Sequence, residues 1–398
     1  MARHIGAQVR YWRERRKLSR KQFADMVGRS TSWLDKVESG ERELVRLPMI
    51  ETVADALGVA PTALTDPANA ERAIQCVDNY EVQAIRAALA AYPGLVPTKH
   101  PVSLARVTRQ ASYLDLAWMT SRFTVVARHL PTLMGDAQAV VQTTTGADHI
   151  AASRVLVTAY RLASSMLLKF ESHDLAWLAA DRAMHTALDV GDTWSLARAT
   201  RSVARAMTGN HLQTIDVLLA MADRMRGEVD ADPARLLSLQ GMLYLAASIT
   251  AAGQDNASLA WEMHEVAMQT ARRFKPNYDT HHTFFGTANT MIHRVSALVR
   301  LHEGGQALEF AETIHPDAVS TLPAERRSNY TLDLTRAHAS VGNYHQAVLL
   351  LAQAEQIAPE EVRCRPLAHN LLRSLLNNTA GEPAKLAKQM AARAGVET

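Results

Sequence analysis

The sequence predicts an all-α protein: a bundle of five short helices at the N-terminus, followed by a long α-solenoid of paired helices. Three observations carry that expectation. Hydrophobic residues make up 47% of the 398 and aromatics only 6%, so alanine and leucine, good helix formers, supply the apolar content. A chain of this length exceeds one compact core, which implies at least two domains. Apolar residues recur at helical spacing between breaks marked by glycine, proline, asparagine and aspartate.

Ile5, Val9 and Trp12 fall on one face of a first helix, and Trp12 is expected in the core. Ser19-Arg20-Lys21-Gln22 is a capping box that opens a second helix, with Phe23, Ala24 and Val27 as its apolar face. Gly28 is placed to end it. Ser30 caps a third helix, in which Leu34 and Val37 point inward, and Gly40 stops it. Pro48 opens a fourth helix that runs to Leu57 and Gly58, and Pro61–Leu64 forms a fifth turn.

The solenoid breaks are expected near Pro93–Pro101, Gly135–Ala147, Gly191-Asp192, Gly209-Asn210, Ala231–Pro233, Gly253–Asn256, Lys275–Gly286, Gly304-Gly305 and Gly342-Asn343. The division read from the sequence is residues 1–66, a linker at 67–79 that starts with Asp66-Pro67-Ala68-Asn69, and the helical array at 80–398.

Charge is placed unevenly. The whole chain carries a formal +3, yet residues 1–36 hold ten Lys or Arg against Glu14, Asp25 and Asp35, a local balance of +7. A basic end of this kind suits a polyanion, and a solvated arginine-rich helix is the plain alternative. Arg10, Arg13, Arg15, Arg16 and Lys17 have that alternative individually, and about two of them are expected to serve DNA. Cys76 and Cys364 lie far apart and in no ligand cluster, which fits a reducing cytoplasm. The charged N-terminus lacks an apolar targeting segment, and no apolar run reaches membrane-spanning length. No phosphate-binding loop, dinucleotide fingerprint, nucleophile elbow or convincing carboxylate pair occurs, so neither catalysis nor a cofactor is expected.

A capped second helix, a glycine turn and a short third helix, preceded by a basic helix, follow the order of a helix-turn-helix. The run LSRKQFADMVGRSTSWLDKVESGER resembles the Cro/C1-type (XRE) helix-turn-helix family at Leu18, Ser19, Phe23, Ala24, Gly28, Ser30, Leu34, Val37, Glu38 and Gly40. MIETVADALGVAPTAL resembles that family's fourth and fifth helices, so the likeness covers residues 5–66. It implies base-side contacts from Arg20, Thr31, Ser32 and Lys36, and backbone contacts from Arg29 and Trp33. The basic residues of the second helix, Lys21 included, would hold phosphates. The likeness also implies an internal ion pair between Arg13 and Glu38. The family's usual glutamine is Arg20 here, and arginine suits guanine or phosphate rather than adenine, so no operator sequence transfers.

Val341–Pro359 resembles the tetratricopeptide repeat: Gly342-Asn343-Tyr344 at the turn, the small residues Ala347 and Ala354 seven apart, and a terminal Pro359. Ala176 and Ala183 repeat the spacing. Elsewhere the match is degenerate, and a generic helical array remains the alternative. The layout resembles two-part bacterial regulators in which a Cro/C1 domain precedes a tetratricopeptide-like sensor, an architecture shared by peptide-pheromone receptors of quorum sensing. Segments such as DLAWLAADRAM and PEEVRCRPLAHNLLRSLL resemble such regulators from high-GC bacteria.

That resemblance implies a cytoplasmic, homodimeric regulator that binds a double-stranded DNA operator and senses a peptide or small-molecule effector. The most unusual polar stretch, Asn277–Arg294, supplies the candidate effector residues Tyr278, His281, His282, Phe285, Asn289, His293 and Arg294. Asparagine can bridge a peptide amide, arginine can hold a carboxylate, and aromatics can line a pocket. The alternative is that Phe284 and Phe285 plug a loop and the histidines are solvated. A metal site at His281, His282 and His293 lacks supporting spacing. The rival function is a protein-interaction adaptor, with the groove holding a protein partner and DNA binding serving localisation.

Overall fold

The computed structural model describes residues 4–66, 69–70, 76–92, 102–207, 213–227, 233–273 and 283–396, which form helices and turns with no strand among them. The chain divides into two compact units, Met1–Glu81 and Val82–Thr398.

In the first unit, α1 (Ile5–Arg15), α2 (Arg20–Met26), α3 (Thr31–Ser39), α4 (Leu47–Leu57) and α5 (Thr62–Thr65) surround a core of Val9, Trp12, Phe23, Leu34, Val37, Val53 and Leu57. Gly6 sets the approach of α1 to α3: a Cβ there would lie 1.8 Å from the Val37 carbonyl oxygen. Arg13 fixes the same pair of helices. Its Nε and Nη2 donate to Glu38 Oε1 and Oε2 at 2.6 and 2.9 Å, and Nη1 donates to the Leu18 carbonyl at 3.0 Å. Both partners are buried, so each guanidinium and carboxylate atom depends on the other.

Residues 76–79, within the stretch read as linker, are packed rather than extended. Asp78 and Glu81 form a reciprocal capping box at the start of α6 (Asn79–Ala90). Arg15 donates to Glu81 at 2.7 Å and to the Cys76 carbonyl at 2.8 Å. Arg16 donates to Asp78 at 2.6 Å and to the Leu57 carbonyl at 2.8 Å. Residues 67–68 and 71–75 of that stretch lie outside the described residues.

The second unit continues through α7 (Leu104–Met119), α8 (Phe123–Thr143), α9 (Gly146–Lys169), α10 (His173–Val190), α11 (Thr193–Ala206) and α12 (Gln213–Arg224). Then follow α13 (Pro233–Ala252), α14 (Ala257–Ala271), α15 (Thr287–Arg300), α16 (Gly304–Glu312) and α17 (Pro316–Ser320). α18 (Ala324–Ser340), α19 (Tyr344–Ile357), α20 (Pro359–Arg363), α21 (Pro366–Asn378) and α22 (Gly381–Ala394) complete it. Sequence neighbours pack on one another, most extensively α9 with α10, α13 with α14, and α18 with α19. Alanine makes the close approach possible. Ala176, Ala179, Ala180, Ala183 and Ala187 of α10 are fully buried, as are Ala347 and Ala354 of α19.

Five hairpin turns share one geometry. Ser121, Glu171, Asp255, His302 and Gly342 each adopt a left-handed conformation, with φ between 54° and 79°. The amide of the residue after each donates back to a carbonyl in the preceding helix. Those bonds are Arg122 to Ala117, Ser172 to Leu167, Asn256 to Ala251, Glu303 to Leu298 and Asn343 to His338, at 2.8–3.0 Å. The break expected near Gly135–Ala147 narrows to 144–145: α8 runs through both Pro131 and Gly135 and ends at Thr143, and α9 starts at Gly146. Burial of Leu130, Leu133, Met134 and Ala137 offsets the roughly 3 kcal/mol that an internal proline costs. The breaks expected at 93–101 and 209–210, and most of that at 275–286, fall outside the described residues.

A buried polar network ties the early and late helices of this unit together. Lys169 Nζ lies 2.5 Å from Glu361 Oε1 and 3.1 Å from Glu325 Oε1. Ser121 Oγ also donates to Glu361 at 3.1 Å, Arg365 Nη1 donates to Glu361 Oε2 at 2.5 Å, and Glu360 accepts from the Thr124 amide at 2.8 Å.

Two substitutions test these anchors. Glu38→Ala strands the Arg13 guanidinium and is expected to cost on the order of 3–5 kcal/mol. It would show as faster hydrogen exchange throughout α1 and α3, and unchanged exchange would contradict the anchoring role. Lys169→Met removes the cation that Glu325 and Glu361 share and leaves them Arg326 and Arg365. It should lower the urea stability of the full chain by about 3–5 kcal/mol, and a loss below about 1 kcal/mol would mean that Arg326 and Arg365 satisfy the network.

Candidate nucleic-acid interface and basic cavity

The helix α2, the turn and the helix α3 are held by local hydrogen bonds. Gln22 N donates to Ser19 Oγ at 3.2 Å, and Ser19 N donates to Gln22 Oε1 at 3.0 Å. Gly28 takes a φ of +65°, which lets Arg29 N return to the Ala24 carbonyl at 2.9 Å. Ser30 Oγ then accepts from Trp33 N at 3.1 Å and starts α3. Leu34 and Val37 are buried. Thr31, Ser32, Asp35 and Lys36 are exposed on the opposite face.

The predicted DNA contacts therefore share one surface. Lys21 and Arg29 are exposed, and Trp33 is half-buried with the Arg29 guanidinium 5.8 Å from its ring centre. Arg42, which is not among the predicted contacts, borders the same recess as Asp25, Arg29 and Trp33. Its backbone amide is fastened to the Lys36 carbonyl at 2.8 Å. Arg20 spans the two helices, with Nε 3.0 Å from Asp35 Oδ1 and 3.7 Å from Glu38 Oε2. Arg20 and Asp35 are both more than half exposed, so their pairing is worth about 0–1 kcal/mol.

The charge count is corrected at α1. Arg13, Arg15 and Arg16 have nearly inaccessible side chains and are taken up by Glu38, Glu81 and Asp78. Arg16 also lies 5.0 Å from the Trp12 ring and 4.3 Å from the Tyr80 ring. These three cations hold the unit together and do not face outward. The one sequence-level sign of this was the expected Arg13–Glu38 pair.

In the second unit, α9, α11, α13, α15, α18 and α21 line a half-open cavity of about 530 Å³. Lys169, Arg201, Arg205, Arg300, Arg326 and Arg336 line it, with Glu325 and Asp333 as the acidic side chains. Burial lowers the Arg201 pKa well below the usual arginine value, and neighbouring Arg205 and Arg326 push in the same direction. Arg205 keeps an exposed side chain; partial desolvation and the crowding of Arg326 and Arg161 both lower its pKa, while Glu325 opposes them. Burial also works to raise the Glu325 carboxyl, but Lys169 and Arg326 outweigh it and hold it below the usual carboxylate range.

The candidate effector residues separate. Tyr278, His281 and His282 lie outside the described residues. His293 lines the cavity; its Nδ1 is 2.7 Å from the Asn289 carbonyl, and burial with the nearby Arg326 lowers its pKa to about 3. Phe285 is fully buried over Gly241, where a Cβ would meet its ring at 2.0 Å. It fills the core, as the plug alternative expects. Asn289 is fully buried, with its Nδ2 3.6 Å from Met242 Sδ. The Arg294 guanidinium lies 5.0 Å from the Trp261 ring and 4.9 Å from the Phe310 ring. Of the described members of the set, His293 is the one that reaches the cavity. The rest of its wall comes from separated helices and leaves no local motif in the sequence.

Residues 4–68 match the family model described as a helix-turn-helix domain. No curated protein matches the chain. Among solved structures it is similar to PrgX at 10% identity and to a point mutant of PrgX at 9%, each with a TM-score of 0.30. Those alignments cover 94% and 97% of this chain and 100% and 99% of the others. ComR from S. thermophilus, solved in complex with DNA and its signalling peptide ComS, is 12% identical with a TM-score of 0.25, over 94% of this chain and 99% of ComR. With its capped α2–turn–α3 and its exposed polar face, the N-terminal segment of this all-helical chain is a helix-turn-helix domain.

Proposed function

We propose that the chain is a transcriptional regulator that reads a DNA operator through α3, and that an effector bound by the helical unit sets its operator affinity. The observation that carries the first half is the exposed, capped start of α3. Thr31, Ser32 and Lys36 stand clear of Leu34 and Val37, on a helix whose N-terminus is fixed by Ser30. Short side chains at a helix N-terminus can approach base edges in the major groove, while the exposed Lys21, Arg29 and Arg42 would take phosphates. Support for the second half is the cavity among α9, α11, α13, α15, α18 and α21. Regulation requires that the effector bind one arrangement of the protein more tightly than another, and a tenfold change in operator affinity needs about 1.4 kcal/mol of such preference.

A dimer would place two α3 helices on half-sites about 34 Å apart, one turn of DNA. No described helix is long and apolar enough to cross a membrane. A regulator that reads an operator would act in the cytoplasm.

The test is a titration of the full chain against DNA from upstream of its own gene at about 50 and 200 mM salt. Wild type should saturate one short site with salt-sensitive affinity. Arg20→Ala combined with Lys36→Ala should lose at least about tenfold in affinity, flatten the salt slope and retain the wild-type melting temperature. Equal affinity in the variant would remove α3 as the reading element.

A further inference from the structure

The cavity of the helical unit holds more positive charge than its own carboxylates use. Lys169 and Arg326 flank Glu325 at 3.1 and 3.3 Å, Arg336 lies 3.3 Å from Asp333, and Arg365 takes Glu361 at 2.5 Å. Arg201, Arg205 and Arg300 remain without a carboxylate within 4.0 Å among the described residues. Arg201 Nε is buried and has no hydrogen-bond partner, and Arg205 makes one long bond, 3.4 Å from Nη1 to Ser165 Oγ. All three line the same space.

Packing does not require them: Arg201 is half-buried and Arg205 and Arg300 are exposed, so a neutral polar side chain would serve in their place without gathering like charge. Like charges repel there, which is one reason the pKa values of Arg201 and Arg205 are lowered. An anion would relieve both the repulsion and the unmet donors. Leu245, Ile249, Ile292 and Tyr330 give the cavity an apolar wall beside this charged one. A volume of about 530 Å³ lies in the range of small-molecule sites.

We infer that the cavity binds a compact organic polyanion, with two or more negative charges on phosphoryl or carboxylate oxygens set against Arg201, Arg205 and Arg300 and an apolar body against Leu245, Ile249 and Tyr330. This rests on the effector reading above for its regulatory meaning. It narrows that reading from any peptide or small molecule to a multiply charged oxyanion.

Isothermal titration of the full chain at constant ionic strength tests it, with inorganic pyrophosphate and citrate as probes and acetate as the monovalent reference. Wild type should bind pyrophosphate or citrate saturably and at least tenfold more tightly than acetate. Arg201→Gln with Arg205→Gln should weaken that binding at least tenfold, and the exposed control Arg109→Gln should leave it unchanged. The ligand-free double variant should melt no lower than wild type, because it loses two neighbouring like charges that no carboxylate holds. Tighter pyrophosphate binding would identify a phosphorylated ligand, and tighter citrate binding a polycarboxylate.

No saturable binding of either probe overturns the inference, as does equal binding by the double variant. A ligand-free double variant that melts several degrees below wild type would make these arginines structural and overturn it too. Operator affinity is measured separately with and without the bound probe. Binding with no operator shift counts against the sensing reading and leaves the cavity assignment standing. An operator shift produced by a neutral compound, with neither probe bound, does the reverse.

Discussion

One buried ammonium organises the second unit. Lys169 ends α9, and its Nζ meets carboxylates on α18 and α20 at the far end of the sequence. It also lies 5.2 Å from the Trp118 ring and 4.9 Å from the Phe123 ring. Burial lowers its pKa while Glu361 and Glu325 raise it. A charge taken that far out of water persists only where several partners answer it, and this one has two acids and two aromatic faces. The arrangement fixes how the first helices of the unit meet the last. It also supplies part of the cavity wall, since Lys169 and Glu325 belong to both.

The first unit applies the same physics to three cations. Arg13, Arg15 and Arg16 lie in one short segment at the end of α1, and each finds an acid or a carbonyl brought in by a different part of the chain. These pairs hold α1 to α3 and to residues 78–81, so the outward chemistry is left to residues of α2, α3 and the turn between them. A high count of basic residues is therefore a poor measure of the charge offered to a partner. What is offered depends on which cations the fold has already engaged.

Features set by neighbours in the chain were legible in the sequence. The Ser19–Gln22 box, the Ser30 cap and the stops at Gly28, Gly40 and Gly58 each depend on a few adjacent residues, and each forms as read. The turns of the helical unit were only partly legible, because Ser121, Glu171, Asp255 and His302 take a left-handed conformation without glycine to announce it. Their backbone hydrogen bonds and the burial of the flanking helices outweigh the roughly 1–2 kcal/mol that a side chain costs there. The Asp78–Glu81 box was overlooked because Asp66-Pro67 ahead of it reads as a linker. The cavity was not legible, since its arginines come from helices far apart in the chain. The polar stretch that drew attention instead contributes His293 from its described part, while Phe285 and Asn289 are buried in the core.

The exposed pair between Arg20 and Asp35 sets a condition on any nucleic acid that meets α3. An oxygen or base edge that takes Arg20 must first displace an acceptor already 3.0 Å away. The released carboxylate then stands on the same surface as the incoming phosphates and repels them. Sites that offer phosphate alone gain little from that exchange. Sites that also satisfy neighbouring side chains can outweigh it, so an acidic residue that weakens contact in general would sharpen the choice among sequences.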